Sequence, residues 1–390
     1  MNHHIVTRTL LGCLFSMATL AAQRDWVVDG QTRPGYDFAT VTEALAAAHD
    51  GDRILVRYTN YGYQESVWIS KAVTVEGVGR PFFMPPGLLV RNIPGSKCVV
   101  LRNLEAATFL VTDCAGHVQF EHCGYLYSQS SGRWWVTNST CVSLDDCQGR
   151  GVGNSPAMQT SNSNVTLRGC SLRGGDWQGQ PPKGVGGSEG LSVSGGSVVL
   201  SRCAVSSGVG GFFWGWPTAL SSNSARIVIA GGARTRIATL FGAFNTPPVV
   251  ANGGTVVFDP RAELLMGEVT QGSIYGSAVV TEFSTDTLHG EVVTSGQSAR
   301  LTLALESQRA AVNVIFCGLG SAPVALGHGA VWLAAAPLIP IAVVRTRPDG
   351  TVSCNIPWST SFPRHDIAVV FQAISADGQF EPSTPFVLGL

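Results

Sequence analysis

Short runs of alternating apolar and polar residues recur along the first two thirds of this chain, and they share one pattern, Val-x-(Leu/Phe)-x-x-Cys. It reads Val118-Gln119-Phe120-Glu121-His122-Cys123, then Val142-Ser143-Leu144-Asp145-Asp146-Cys147, Val165-Thr166-Leu167-Arg168-Gly169-Cys170 and Val198-Val199-Leu200-Ser201-Arg202-Cys203. Two upstream copies end on another apolar residue, Val73-x-Val75-x-x-Val78 and Val99-x-Leu101-x-x-Leu104, and a degenerate copy stands at Ile227-Val228-Ile229. The starts are 26, 19, 24, 23, 33 and 29 residues apart. Period two puts Val and Leu on one face of a strand and the residues between them on the other. Roughly two dozen residues per repeat suits three short strands and three bends, so the pattern predicts a right-handed parallel β-helix. The polar pair before the last apolar position predicts a bend that returns that side chain inward. A leucine-rich repeat or a propeller fits poorly, because no helical pattern lies inside the repeat and blade repeats are nearer about 40 residues.

Stacked coils lie about 4.8 Å apart, so equivalent residues form ladders along the axis. Cys123, Cys147, Cys170 and Cys203 are then expected in one interior column, a slot that small, polarisable Cys fits well. Adjacent members could in principle be oxidised, but a free-thiol packing ladder is the preferred reading.

Upstream of the repeats runs Asp37-Phe38-Ala39-Thr40-Val41-Thr42-Glu43-Ala44-Leu45-Ala46-Ala47-Ala48, followed by Asp50-Gly51-Asp52-Arg53-Ile54-Leu55-Val56. Tyr63-Gln64-Glu65-Ser66-Val67-Trp68-Ile69-Ser70-Lys71 and Val73-Thr74-Val75-Glu76-Gly77 continue it. Phe38, Val41, Leu45 and Ala48 fall on one helical face. That helix is expected to cover the open end of the coil stack, which would otherwise template aggregation. The phrase resembles the opening segment of the pectin-lyase-like β-helix superfamily, over roughly residues 25 to 260. The resemblance implies a secreted β-helix, in a group where pectin esterases and pectate lyases stand beside many uncharacterised secreted proteins. Neither the esterase's Gln-Asp-Thr-Leu-type segment nor a lyase signature is present, so no catalytic residue carries over.

The character changes near residue 280. Leu288 to Val293, Ala299 to Glu306, Ala311 to Cys317, Ala330 to Ala334, Ile341 to Arg345 and Ile367 to Ala376 read as strands, separated by turn signals such as Asp349-Gly350 and Asp377-Gly378. They carry no two-dozen-residue repeat and predict a small antiparallel β-sandwich. At the other end, Arg8, the apolar run Leu10 to Leu20 and the small residues Ala21-Ala22 read as a secretory leader. Leu10-Leu11-Gly12-Cys13 resembles a lipoprotein site, but too little hydrophobic sequence precedes Cys13. The expected chain is therefore all-β: leader 1–22, right-handed parallel β-helix with an N-terminal capping helix 23–275, and sandwich 281–390. It reads as an exported bacterial protein, placed in the periplasm, at the cell surface or outside the cell. Ten cysteines fall to nine once Cys13 leaves, and Cys317 and Cys354, alone in the sandwich, are the pair best placed for a disulfide.

Charged residues make up only 13% of the chain and Gly reaches 46, which suits many short strands and turns and disfavours a helical bundle. A net charge of −1 leaves no footprint for nucleic acid or an anionic membrane, and no later apolar run reaches spanning length.

Two places could carry chemistry. The outward column Arg102, Glu121, Asp145, Arg168, Ser201 puts carboxylates on neighbouring rungs between arginines, beside a second column of Asn103, His122, Asp146, Gly169 and Arg202. Polysaccharide lyases and hydrolases use such groups, one carboxylate as acid or base or as a Ca²⁺ ligand and Arg against a substrate carboxylate. The candidate catalytic residues are Glu121, Asp145 and Arg168; the preferred reading is a charge-balanced ladder on a solvated face, with His122 as a partner of Asp146. The second place is a pair of long insertions, around Asp176-Trp177 to Lys183 and around Trp214-Gly215-Trp216. Indoles stack on sugar faces, so Trp177, Lys183, Trp214 and Trp216, with Asp176 and Glu189 nearby, form a candidate glycan site. Arg133-Trp134-Trp135 could lengthen it. These aromatics could equally cover a flank or meet the sandwich. No metal-ligand spacing, phosphate loop or nucleophile triad stands out, so no cofactor is expected, apart from Ca²⁺ if the chain is a lyase. The expected function is a non-catalytic scaffold that binds a polysaccharide or surface polymer; the alternative is a lyase or hydrolase of an acidic polysaccharide.

Overall fold

A computed structural model describes residues 23–125, 132–176, 187–210, 217–230, 234–239, 246–267, 270–283, 286–295, 298–307, 311–326, 329–346, 350–358, 368–375, 383 and 385–389. The body is a parallel β-solenoid of about nine turns, and antiparallel sheets at the C-terminal end fit a small sandwich. The leader assigned to residues 1–22 lies outside the described residues.

The recurring motif builds the first solenoid sheet. It stacks Asp25–Val28, Arg53–Arg57, Thr74–Val78, Cys98–Arg102, His117–Glu121 and Cys141–Asp145, continues in the second halves of Met158–Arg168, Leu191–Ser201, Leu220–Ala230 and Val249–Phe258, and ends on Val279–Glu282. A second sheet stacks Val67–Ile69, Leu88–Arg91, Thr108–Thr112, Arg133–Thr137, the first halves of the same long strands, and Ile274–Tyr275. Gln148–Arg150, Ser171–Arg173, Ala204–Ser206, Arg236–Ala238 and Glu263–Met266 form the third.

Register follows the motif. Val118 pairs with Val99 and Val142, and Phe120 with Leu101 and Leu144, so the apolar positions fill one continuous interior. The predicted bend is a single left-handed residue: Asn103, His122, Asp146, Gly169 and Arg202 all have positive φ. One such residue redirects the chain so that its successor points inward, where Leu104, Cys123, Cys147, Cys170 and Cys203 are buried. Val78 departs from the expectation. It is exposed, because the turn there comes later, at Gly79 and Arg80. The four motif cysteines are free thiols; Cys170 and Cys203, for example, each donate 3.3 Å to carbonyls of the preceding rung, Leu144 O and Leu167 O. Cys317 and Cys354 are unbonded as well.

A helix, Val41–Ala47, lies between the first two strands of the first sheet, Asp25–Val28 and Arg53–Arg57. It opens on a capping box, with Thr40 accepting from Glu43 N and the Glu43 carboxylate accepting from Thr40 N. Val41, Ala44 and Leu45 are buried, and the helix packs against Asp25–Val28, Arg53–Arg57 and Val67–Ile69. Its ends are gripped by residues flanking that last strand. Glu65 accepts from Val41 N, Thr42 N and Thr42 Oγ1, while Lys71 Nζ donates to the carbonyls of Leu45, Ala46 and Ala48 at 2.7, 3.0 and 2.7 Å. A carboxylate at the N-terminus and an ammonium at the C-terminus suit the helix dipole.

Past residue 286 two antiparallel sheets follow: Thr287–Ser295, Ser298–Ser307 and Gly350–Trp358 in one, and Gly329–Arg345, Val312–Leu326, Ala368–Ser375 and Phe386–Gly389 in the other. The runs read as separate strands at Ala330–Ala334 and Ile341–Arg345 are one strand. It tolerates Pro340 at a register shift between Ile315 and Phe316, where a missing N–H does least harm. Gly350–Trp358 and Phe386–Gly389 were not expected from the pattern. The second of these sheets packs on the outer face of the first solenoid sheet. Val370 is buried among Cys98, Val100, Cys141, Val199, Val228, Ala230 and Val257, with Phe283 and Phe316 against the same cluster.

Candidate functional site

The register brings Arg102, Glu121, Asp145, Arg168 and Ser201 into one outward column, as the spacing predicts. Their contacts are mutual. Arg102 Nε stands 2.5 Å from Glu121 Oε2, Gln119 Nε2 donates to Glu121 Oε1 at 2.7 Å, and Arg168 Nε meets Asp145 Oδ1 at 2.9 Å. The column is not the solvated face its composition suggested. Asp145 is 8% exposed, and the Arg168 guanidinium lies 4.5 Å from the centre of the Phe386 ring of the sandwich. Burial pushes the Asp145 pKa up to about 7; Arg168 opposes the rise and Glu121 on the next rung adds to it. A carboxyl that holds its proton near neutrality beside a second carboxylate can do acid–base chemistry. Here both are tied to guanidinium groups, and one is roofed. His122 and Asp146 sit side by side on the bend, with no ion pair between them among the described residues.

A second column under the roof went unnoticed in the sequence. Cys98, His117 and Cys141 stand on three successive rungs, one position before each inward Val. His117 Nδ1 is 2.8 Å from Cys141 Sγ and its Nε2 is 2.9 Å from Ser143 Oγ. Burial lowers the His117 pKa to about 4 and raises that of Cys141 to about 12, so the ring and the thiol are both neutral. A thiol held that way is not an activated nucleophile. The signal available was the Cys or His preceding the motif Val, a position that period two sends outward.

The outer face of the second sheet is different. Its central column runs Trp68, Leu89, Leu110, Trp135, Gln159, Ser192, Ser221, Val250, Tyr275. Trp68 and Trp135 are 51% and 39% exposed, and Tyr275 is open to solvent as well. Arg91 lies 4.1 Å over the Trp68 ring and Arg133 5.3 Å from that of Trp135, contacts that fix the indoles in place. Trp134 points the opposite way, stacked on Phe109 at 4.0 Å in the interior. No carboxylate stands in this column.

Trp177, Lys183, Trp214 and Trp216 lie outside the described residues. The bases of their insertions are described, and both leave the stack at the same bend, between Arg173 and Leu191 and between Ser206 and Leu220. Asp176 joins them, accepting from Val209 N at 3.1 Å, Arg173 Nη2 at 2.9 Å and Arg150 Nη2 at 3.2 Å. Burial would raise its pKa, but these donors win and hold it low. Gly208 packs on Gly175 so closely that a Cβ would stand 1.8 Å from the Gly175 carbonyl. Asp176 is thus a clasp between two loops, committed to protein donors.

Among the described residues no group of three or more His, Cys, Asp or Glu side chains is placed to hold a metal ion, and no helix is long and apolar enough to cross a membrane. Neither a protein-family model nor any curated protein matches the chain.

Proposed function

We propose that this chain is a secreted, non-catalytic β-helix scaffold that binds a polysaccharide or surface polymer along the outer face of its second sheet. In this reading the coil is right-handed and pectin-lyase-like, with the helix Val41–Ala47 closing its open end. The observation that carries it is the exposed, arginine-braced pair Trp68 and Trp135 on one column. Three rungs separate them, roughly 14 Å at 4.8 Å per rung, so a polymer lying along the axis could meet both. Hydroxyl and amide side chains at Gln159, Ser192 and Ser221 extend the column with groups suited to sugar hydroxyls. Rigid indoles lose little freedom on binding, which favours affinity. The insertion residues Trp177, Lys183, Trp214 and Trp216 belong to the same proposal. Binding to a panel of acidic and neutral polysaccharides is expected to fall by about tenfold on Trp68→Ala or Trp135→Ala, in line with about 1 to 1.5 kcal/mol per lost aromatic contact. Unchanged binding in the double variant would refute it.

The alternative, a lyase or hydrolase of an acidic polysaccharide with Ca²⁺ if a lyase, is favoured by one observation. Asp145, with its pKa near 7, adjoins Glu121 between two arginines. Turnover of any polysaccharide, with or without Ca²⁺, that is lost on Asp145→Asn would establish it.

A further inference from the structure

Three of the four strands in the sheet over Asp145 and Arg168 bring no charge of their own; the fourth, Gly329–Arg345, carries only its terminal Arg345. The strands Val312–Leu326, Ala368–Ser375 and Phe386–Gly389 contain no Asp, Glu, Lys, Arg or His. The charges beneath those three strands pair within the solenoid, Arg168 with Asp145 and Arg102 with Glu121. Around Asp145 the charged and titratable groups are Arg168 on one neighbouring rung, Glu121 on the other with Arg102 beyond it, and Asp146 and Cys170 at the bend. From the roof, the Phe386 ring lies over Arg168, the ion-pair partner of Asp145. The seam is also imperfectly satisfied. The hydroxyls of Thr166, Ser197 and Ser201 and Nη1 of Arg168 are buried with no hydrogen-bond partner. Water would repay that cost if the seam opened.

We infer that the C-terminal sheet is a proton-sensitive roof, whose docking on the first solenoid sheet is tight when the Asp145 carboxyl is protonated and loosens when it ionises. The sign follows from linkage. Docked, burial holds the Asp145 pKa at about 7; undocked, water returns and the group reverts toward its ordinary 3.8. The docked state therefore keeps a proton that the open state has released, over the window from about 4 to about 7. Docking is strongest below that window. It weakens as pH rises through it, by up to about tenfold in the docking constant per pH unit, and changes no further above it. The apolar contacts of Val370, Phe316 and Phe283 set the affinity on which this dependence acts. A second ionic contact joins Arg234 to Glu306 at 3.9 Å, and His289, Arg234 and Arg202 hold the Glu306 pKa low. Opening uncovers the Glu121 and Asp145 carboxylates with their paired arginines.

The test compares amide exchange of Cys98–Arg102 and Ala368–Ser375 in the full chain and in Asp145→Asn, an uncharged mimic of the protonated side chain. Taking the ratio at each pH from 5 to 8 cancels the intrinsic pH dependence of exchange. The ratio of wild type to variant is expected to climb by up to about tenfold per unit and level off above about 7. A flat ratio overturns the inference, and so does a slope that vanishes in Glu121→Gln instead. Should Asp145→Asn fail to fold, titration of the Asp145 carboxyl by carbon NMR decides. A midpoint near 7 that drops in Phe386→Ala supports the roof, and an ordinary carboxylate midpoint in the wild type overturns it.

Discussion

Trp134 and Trp135 are chemically identical neighbours with opposite fates. Period two sends one into the interior against Phe109 and Phe120 and the other out to solvent. Trp134 also satisfies its indole N–H on the Gln148 carbonyl at 2.9 Å, so it is both filler and hydrogen-bond donor. Trp134→Ala is expected to cost about 3 to 5 kcal/mol in denaturant unfolding. Trp135→Ala should stay within about 0.5 kcal/mol, since it leaves no cavity. Equal losses would contradict the assignment of faces. Alternation puts the two on opposite faces, but the sequence offered both as an extension of the glycan site, and the burial of Trp134 removes it from that site. The same logic failed for the environment of Asp145, because a strand pattern says which side a residue faces and nothing about what lies there.

At the level of elements, the helix Val41–Ala47 is too short to persist alone and depends on its clasp. Lys71 provides three charge-assisted donors to carbonyls that would otherwise end the helix unpaired, and Glu65 does the reverse at the N-terminus. Lys71→Met keeps the stem and removes the donors. It is expected to lower stability by about 1 to 3 kcal/mol, while Lys71→Arg recovers part of the loss. Equal stability of the Met variant and wild type in thermal melts would show that water caps those carbonyls as well as lysine does. The helix itself was readable from Phe38, Val41, Leu45 and Ala48. Its clasp was not, since Lys71 lies 24 residues beyond Ala47 and reaches it only once the chain coils back.

For the whole molecule the decisive contact is between solenoid and sandwich. Val100, Val199, Val228 and Val257 are outward positions, yet they are buried, because Val370 and its neighbours cover them. Val370→Asp puts a carboxylate into that cluster at a cost of several kcal/mol, on the order of burying an unpaired charge. The sandwich is expected to detach while the solenoid, a stack of nearest-neighbour rungs, still unfolds cooperatively. Calorimetry would then record an early second transition; a single transition shifted as a whole would mean that the two parts fold as one.

The repeat by itself determined the solenoid, its in-register columns, the inward thiol ladder and the bends from Asn103 to Arg202, though not the earlier one after Val78. Those features follow from alternation and coil length, which are local quantities printed in the chain. Only the tertiary structure decided that the Glu121–Asp145–Arg168 column lies under the C-terminal sheet and that Trp68 and Trp135 share an open face. Which faces are covered depends on how the C-terminal sheet docks, and no periodicity within the repeats encodes a contact made by residues more than two hundred positions away.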